Sequence, residues 1–517
     1  MTPGFGARRL AGLVGGLLLF TVILAAPPPA GMSVPAQRMA AVAALMACWW
    51  ITEATHISVT ALIPLAAFPL LGIMPSAEVA PHYANHLIFL YVGGFVIALA
   101  MEKWNLHRRV ALATIAAIGT KPRRLVLGFM IATAAVSMWV SNTATTMMML
   151  PVAMAVALQV AESALIDGQR GEATADRVKT AFGRTLLLAV AYSASIGGVG
   201  TIVGTPTNVA FLGFAAERFP DLPQISFLDW SLVAVPVVAL YLPLAWLYLC
   251  RFGSELALRR IEFTATRSVI AEERRKLGPV SAPEKIVLAV ATVTAVLWIF
   301  RRPIRMGEFT VPGWSMLFGH SEFPHDATVA VAAAVLLCLI PVNLRGGVEW
   351  KGRWERFVMD WDTIERGLPW GVVILFGGGL AMAAGMEKSG LAAWFGEILG
   401  GLKGAPVWIL FPAACVLAVL LTEMTSNVAT VLMICPILAE AALQFGVNPY
   451  LLLFPATIMA SFAFMLPVAT PPNAVVFSSG WITVPAMFRA GVALDALALL
   501  IVPGIVYLLG SAVFRFG

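Results

Sequence analysis

The chain has 517 residues, 60% of them hydrophobic and 12% charged, with a formal net charge of +6 and a mean hydropathy of +0.87. A soluble domain carries about 25% charged residues, so these figures exclude a soluble enzyme or binding module and define a polytopic membrane protein. The positive balance is no nucleic-acid signature, because the basic residues sit in short clusters between apolar runs, where they set topology.

A spanning helix needs about 20 mostly apolar residues. The first candidate, 10–26, follows Arg8 and Arg9 and has the look of a signal peptide, but Ala26-Pro-Pro-Pro-Ala30 lacks a small-residue cleavage pattern. Further candidates fall at 39–51, 57–73, 86–101 with a continuation to 119, 125–160, 180–215, 227–250, 284–300, 326–342, 370–400, 405–445, 448–486 and 490–513. Glu53, between the second and third, is an ionisable group near membrane depth and is read as a helix cap; His56 is read as a packed histidine. Four stretches are too polar in the middle for a simple helix. They hold "VSNTATTMMMLPVA" from Val140, "SIGGVGTIVGTPTN" from Ser195, "TSNVATVLMICPIL" from Thr425 and "LPVATPPN" from Leu466. The Met147–Met149 run is read as hairpin packing. The five cysteines show no paired spacing and predict neither a disulfide nor a metal framework.

Orientation follows the basic residues. Arg8 and Arg9 place the N-terminus in the cytoplasm. Arg108, Arg109, Lys121, Arg123, Arg124, Arg170, Arg177 and Lys179 fall on the same side, as does the linker from Arg251 to Glu284 with Arg259, Arg260, Arg274, Arg275 and Lys276. That bookkeeping requires 125–160 to enter from the cytoplasm and return to it, as a re-entrant hairpin. Arg301, Arg302 and Arg305 land outside, against the rule.

The chain repeats itself. "GGFVIALAMEKWNL" from Gly93 aligns with "GGLAMAAGMEKSGL" from Gly378, and Glu102 and Glu387 stand 285 positions apart. Ser141 and Ser426 keep that separation, as do Pro151 and Pro436; Thr205 and Thr470, which open the Thr-Pro-x-Asn motifs, are 265 apart. The Glu-Lys pairs are read as helix ends. The first polar hairpin is flanked by Arg and Lys, whereas the second has only Lys403 nearby and Glu440 on its return, so the halves read as inverted. Inverted repeats with helices broken at matching places point to a secondary transporter with its site at the repeat interface.

The chemistry follows from the bilayer. Unwound chain at membrane depth is tolerated only within protein or beside a wet cavity. Pro206, Pro471 and Pro472 remove backbone donors, and Gly197, Gly198, Gly200 and Gly204 loosen the helix. A break exposes carbonyls that suit a dehydrated cation and N–H groups that suit an anion. Asn142 and Asn427 each offer an amide oxygen and an NH2 group, with hydroxyls on Ser141, Thr143 and Ser426. No Lys or Arg occurs from Leu125 through Glu162 or from Gly404 through Phe488. A divalent anion held here therefore depends on dipoles, hydroxyls and bound cations. Glu423 is a second ionisable group near membrane depth, read first as a cap.

With "WWITEA", "FLYVGGFVIALAMEKWNLHRRVAL", "SNTATTMMMLPVA", "GGVGTIVGTPTN", "WDTIERGLPWGVVILFGGG", "TEMTSNVAT" and "LPVATPPN", the chain from about Trp49 onward resembles the divalent anion–sodium symporter (DASS) family of dicarboxylate, citrate and sulfate transporters. The resemblance implies an all-α membrane protein of about eleven spans with two opposed re-entrant hairpins, an elevator-like transport domain and a homodimer in the cell's inner membrane. The corresponding portions are scaffold helices in 1–121, transport elements in 122–250, linker and scaffold in 251–403, and transport elements in 404–517. It implies a first sodium site at Ser137, Ser141, Asn142 and Gly204, and a second at Thr422, Thr425, Asn427 and Ala469. Substrate carboxylates fall to Asn142, Thr143, Thr205, Asn427, Thr470 and Pro471. Val428 departs from the pattern by lacking a hydroxyl, Thr207 replaces a frequent proline, and His56 stands where proline is common.

The expected function is sodium-coupled uptake of a C4-dicarboxylate such as succinate, malate or fumarate; the rivals are sodium-independent exchange and sodium-coupled transport of sulfate or citrate. Sodium is the expected coupling ion and no cofactor is called for. An enzyme is disfavoured because the six histidines are scattered and no His-Glu-x-x-His occurs, and no P-loop marks an ATP-driven pump.

Overall fold

The computed structural model describes residues 7–119, 121–166, 172–251, 266–306, 309–342, 357–400 and 407–514; Arg170, Arg259, Arg260 and Lys403 lie outside the described residues. Helices α1 (Ala7–Ala25), α2 (Val34–Thr52), α3 (Ile57–Thr60), α4 (Ile63–Leu70) and α5 (Ser76–Val79) lead in. Then come α6 (His86–Lys103), α7 (Leu106–Ile118), α8 (Pro122–Ser137), α9 (Asn142–Ile166), α10 (Glu172–Gly198), α11 (Pro206–Arg218) and α12 (Phe227–Arg251). A middle segment holds α13 (Thr266–Lys276), α14 (Ala282–Ile299), a small antiparallel hairpin of β1 (Ile304–Met306) and β2 (Phe309–Val311), α15 (Asp326–Leu339) and α16 (Trp361–Gly367). The succession of α6 to α12 is then laid down again as α17 (Trp370–Lys388), α18 (Leu391–Gly400), α19 (Val407–Thr422), α20 (Asn427–Gln444), α21 (Pro449–Ala460), α22 (Pro471–Phe477) and α23 (Val484–Phe514).

Local chemistry explains the repeated boundaries. Asn85 and Asn448 cap α6 and α21 by accepting from the N–H two residues on, at 3.0 and 2.9 Å. Pro122, Pro206, Pro449 and Pro471 stand in the first turns of α8, α11, α21 and α22, where a missing N–H costs nothing. The residue before a proline is driven to extended backbone, and Thr205 and Thr470 adopt nearly the same angles there, φ −142° and ψ 142° against φ −148° and ψ 146°. The stretches 125–160 and 405–445 each resolve into two helices joined by a short turn, as a re-entrant hairpin requires.

Nine helices among the described residues are long and apolar enough to cross a bilayer, and four shorter apolar helices accompany them. The nine include α9 and α20, the return limbs of the two hairpins, so this length criterion does not count spans in the sense of the expected eleven. The fold class is all-α and multi-pass.

The two halves interlock. Helix α11, after the first break, packs on α20 and α21 of the second half; α22, after the second break, packs on α9 and α10 of the first. Aromatic rings fill the junction. Phe211 of α11 lies 6.1 Å from Trp230, 6.2 Å from Tyr450 and 6.1 Å from Phe454, and Tyr241 stacks on Phe462 at 5.2 Å.

Two sequence readings change in detail and a third holds. Arg301 is 3% exposed and pairs with Asp326 at 2.5 Å, so its charge is spent inside the protein and carries no topological vote. His56 is exposed and caps α3 by accepting from Ser58 N–H at 3.3 Å, so it is a cap and not a packed core residue. Glu53 does close α2, in left-handed backbone at φ 50°.

Removing the central ring of the junction should cost about 3–5 kcal/mol. Phe211→Ala is expected to lower the thermal unfolding midpoint of the purified protein clearly, while Leu500→Ala, on an 80% exposed side chain, leaves it nearly unchanged.

Candidate substrate and cation site

Each hairpin turns at a Ser-Asn pair, and the Asn opens the return helix. In the first half the Ser137 hydroxyl, at the end of α8, lies 2.7 Å from Asn142 Oδ1 and 2.8 Å from the Ala194 carbonyl of α10. In the second half the Thr422 hydroxyl lies 2.9 Å from Asn427 Oδ1 and 2.5 Å from the Ala460 carbonyl of α21. One hydroxyl thus pins each Asn and ties each hairpin to the broken helix beside it. The NH2 groups of Asn142 and Asn427 make no hydrogen bond with the described residues, and both side chains are half-buried, which leaves these donors for a ligand.

The breaks are held open by a second asparagine in each half. Asn208 donates from Nδ2 to the carbonyls of Gly198 (3.2 Å) and Thr201 (2.8 Å); Asn473 donates to Ala463 (2.8 Å) and Leu466 (3.0 Å). Both residues are fully buried. These bonds dispose of carbonyls that helix unwinding would orphan. The sequence displayed both asparagines in its Thr-Pro-x-Asn motifs, yet their role was missed because it depends on which carbonyls the break releases.

The first expected cation group is brought together. A Cβ at Gly198 would stand 2.3 Å from Asn142 Oδ1, and one at Gly204 would stand 2.4 Å from the Gly198 carbonyl and 3.0 Å from the Ser137 carbonyl. Ser137, Asn142 and Gly204 therefore meet around Gly198, and Ser141 adjoins them in the turn, its hydroxyl accepting from Ala144 N–H at 3.3 Å. Crowded backbone oxygens with an amide oxygen and a hydroxyl form a donor set that fits a hard monovalent cation. Gly198 was not singled out as a site residue from sequence; its signal was the glycine run itself.

In the second group Thr422 and Asn427 meet as their counterparts do. Thr425 spends its hydroxyl on Thr430, 2.7 Å away, so its carbonyl is what remains for an ion. Ala469 sits in the unwound chain just before Thr470, with its N–H on the Leu466 carbonyl at 3.3 Å.

Of the expected anion ligands, Thr143 is half-buried, Thr205 and Thr470 are each 4% exposed and Pro471 is exposed. Neither threonine caps its helix through its hydroxyl; Thr205 Oγ1 lies 3.3 Å from Thr207 Oγ1. The crosswise packing sets the helix that opens after Thr205 against the one that opens at Asn427, and the helix that opens after Thr470 against the one that opens at Asn142. Val428 is 7% exposed and packs in the core, so the second half has no equivalent of the Thr143 hydroxyl.

A broken-helix pair with two pinned hairpin asparagines defines a multi-pass membrane transporter. The chain belongs to the family described as the sodium:sulfate symporter transmembrane region, whose model matches residues 7–515. It is 38% identical over 505 residues to a sodium-dependent dicarboxylate transporter, SdcS, of Staphylococcus saprophyticus, covering 98% of this chain and 92% of that protein. It is 37% identical over 503 residues to the SdcS of Staphylococcus aureus, covering 97% and 91%. Among solved structures, MtrF of Neisseria gonorrhoeae shares the fold with a TM-score of 0.55 at 12% identity, covering all of this chain and 96% of that one. The YdaH transporter of Alcanivorax borkumensis gives a TM-score of 0.50 at 13% identity, covering 98% and 96%.

A methyl at Gly204 would press on the Gly198 and Ser137 carbonyls, so it tests these oxygens as an ion cradle at some cost to the fold. Gly204→Ala is expected to weaken the sodium-dependent rise in unfolding temperature by about tenfold in sodium concentration, corresponding to about 1–3 kcal/mol of overpacking. Gly15→Ala, where a Cβ meets nothing within 4 Å, serves as the control.

Proposed function

We propose that this chain imports C4-dicarboxylates, of the succinate, malate and fumarate class, together with sodium. The observation that carries the reading is the pair of pinned asparagines, each presenting a free NH2 within a stretch, Leu125 to Glu162 or Gly404 to Phe488, that holds no lysine or arginine. Donors this weak cannot offset two carboxylates in a low-dielectric site. Sodium ions in the adjoining carbonyl cradles supply the missing positive charge, so substrate and ion load together. The named activity of the two staphylococcal relatives supports the same substrate class and ion.

One set of donors comes from each half, which suits an anion with two separated charged ends better than compact sulfate. The absent hydroxyl at Val428 leaves the second half poorer in donors, which favours a dicarboxylate over citrate. The substrate ligands on this reading are Asn142, Thr143 and Thr205 with Asn427, Thr470 and Pro471. The sodium ligands are Ser137, Ser141, Asn142 and Gly204, and Thr422, Thr425, Asn427 and Ala469.

The transport body on this reading comprises 122–250 and 404–517, and it slides in elevator fashion against a scaffold of 1–121 and 251–403. The scaffold forms the homodimer, and the N-terminus faces the cytoplasm from the inner membrane.

Proteoliposomes with an imposed sodium gradient test the reading. Labelled succinate is expected to accumulate only with sodium outside, and unlabelled sulfate or citrate should compete poorly. Counterflow of succinate in sodium-free medium, or preferential uptake of sulfate, would overturn it. Asn142→Ala and Asn427→Ala each remove a hydrogen bond to a charged group worth about 1.5–3 kcal/mol. Each is expected to raise the succinate KM about 10- to 100-fold with the protein still present in the membrane, and wild-type KM in either would refute the ligand assignment.

A further inference from the structure

The ties between hairpin and break occupy matching positions in the two halves but use opposite chemistry. In the first half Met138, Thr201 and Trp230 make them: the Thr201 hydroxyl donates to the Met138 carbonyl at 2.5 Å, and Trp230 Nε1 donates to the Val199 carbonyl at 2.8 Å. The residue 285 positions after Met138 is Glu423, and those 265 positions after Thr201 and Trp230 are Leu466 and Asp495. Two acids thus stand where the first half has only neutral groups.

Glu423, 5% exposed, accepts from the backbone N–H groups of Met465 at 2.8 Å and Leu466 at 3.1 Å. Charge-assisted bonds of this kind suit an ionised carboxylate. Asp495 of α23 is 1% exposed, and neither of its oxygens meets a donor at good hydrogen-bond geometry among the described residues, the nearest groups being the Phe464 N–H and the Glu423 carboxyl. It lies beside the Glu423 carboxylate and the backbone of Phe464. Helix α23 comes this close through Gly491, one turn earlier, where a Cβ would stand 2.4 Å from the Phe464 backbone.

The other polar groups around the pair are committed. Tyr192 from α10 donates to the Phe464 carbonyl at 2.9 Å, and Tyr241 from α12 donates to the Leu494 carbonyl at 2.7 Å. Neither acid joins an ion pair with Lys, Arg or His among the described residues. An ionised carboxylate only accepts hydrogen bonds, and two of them in contact at negligible exposure repel strongly unless a bound cation or a shared proton lies with them.

We propose that Glu423 and Asp495 form an additional cation site, present in the second half only, that takes one dehydrated sodium ion. The proposal rests on the sodium-coupled reading and adds an ion to it. One ion leaves the pair with a single net negative charge: the N–H groups of Met465 and Leu466 serve Glu423, and the ion serves Asp495. Because Glu423 follows Thr422, whose hydroxyl pins Asn427, an ion here fixes the second hairpin before the anion arrives.

Asp495→Asn tests the site. Its amide supplies the donor that Asp495 lacks and satisfies Glu423 without an ion, so the fold is safe. Equilibrium binding of radiolabelled sodium to the purified protein, without anion, is expected to fall by one ion per chain against wild type. Glu423→Gln should give the same loss, and the ratio of sodium to succinate taken up by proteoliposomes should drop by one in Asp495→Asn. Equal sodium counts in wild type and both variants overturn the site. So does a change confined to the pH dependence of uptake, which identifies a proton as the shared cation. A wild type that binds no sodium overturns both this site and the sodium-coupled reading, whereas equal counts in a sodium-binding wild type overturn the site alone.

Discussion

Hydrocarbon does not forgive an unpaired peptide group, and the whole centre of this molecule is organised around that constraint. Two helices unwind deep in the protein, and each break releases carbonyls and N–H groups that water cannot reach. Asn208 and Asn473 take up two carbonyls apiece. Ser137 and Thr422 reach across from the hairpins to a third. What remains after these commitments is a small set of oxygens around Gly198 and Gly204 and their counterparts. Among the described residues the Oδ1 atoms of Asn208 and Asn473 and the hydroxyls of Ser195 and Ser461 stay without partners there, and on the proposed reading such spare oxygens serve the ion.

The two halves solve that problem with different materials. The first relies on close approach, with glycines at 197, 198, 200 and 204 letting backbone meet backbone. The second has Phe462, Ala463, Met465 and Ala469 at the matching positions, and must hold a bulkier break by other means. Glu423 does so by accepting two of its N–H groups. A glycine-lined cradle is rigid because it is tight, whereas a carboxylate-tied one is rigid only while its charge is balanced. Repetition of fold therefore does not imply two equivalent ion sites.

Much of this was legible in the sequence, for a definite reason. Turn chemistry is local, so Ser-Asn pairs, prolines and the Thr-Pro-x-Asn motifs announced both hairpins and both breaks, and the separations of 285 and 265 announced the repeat. The partners across the molecule were not legible. Nothing local to Pro206 says that α11 packs on α20 and α21, since that choice is made by Phe211 finding Tyr450 and Phe454. Charge bookkeeping failed at Arg301 for a similar reason: the rule counts exposed cations, and the burial of Arg301 against Asp326 is a tertiary fact. Asp495 gave no signal at all, being one acid in a long apolar helix whose neighbour lies 72 positions earlier.

The interlocking also bears on how the site could move. Helix α11 cannot shift relative to α21 without breaking the ring contacts of Phe211 with Tyr450 and Phe454, and α22 is packed against α9 and α10. Both hairpins and both broken helices therefore form one packed unit. On the proposed division the sliding seam runs where α11 and α20 meet α6 and α17, and it is lined by Leu87, Val209, Gly213, Phe376, Leu380 and Leu432, all apolar or without a side chain. Such a seam resists displacement weakly, because dispersion contacts are non-directional and re-form one position along. Directional contacts between the two portions include the pairs of Glu217 with His82 at 2.5 Å and Arg218 with Glu387 at 3.3 Å, and the Phe227 N–H donating to Asp326 at 3.1 Å. An apolar contact surface with ion pairs at its rim is therefore the feature on which the proposed elevator movement rests.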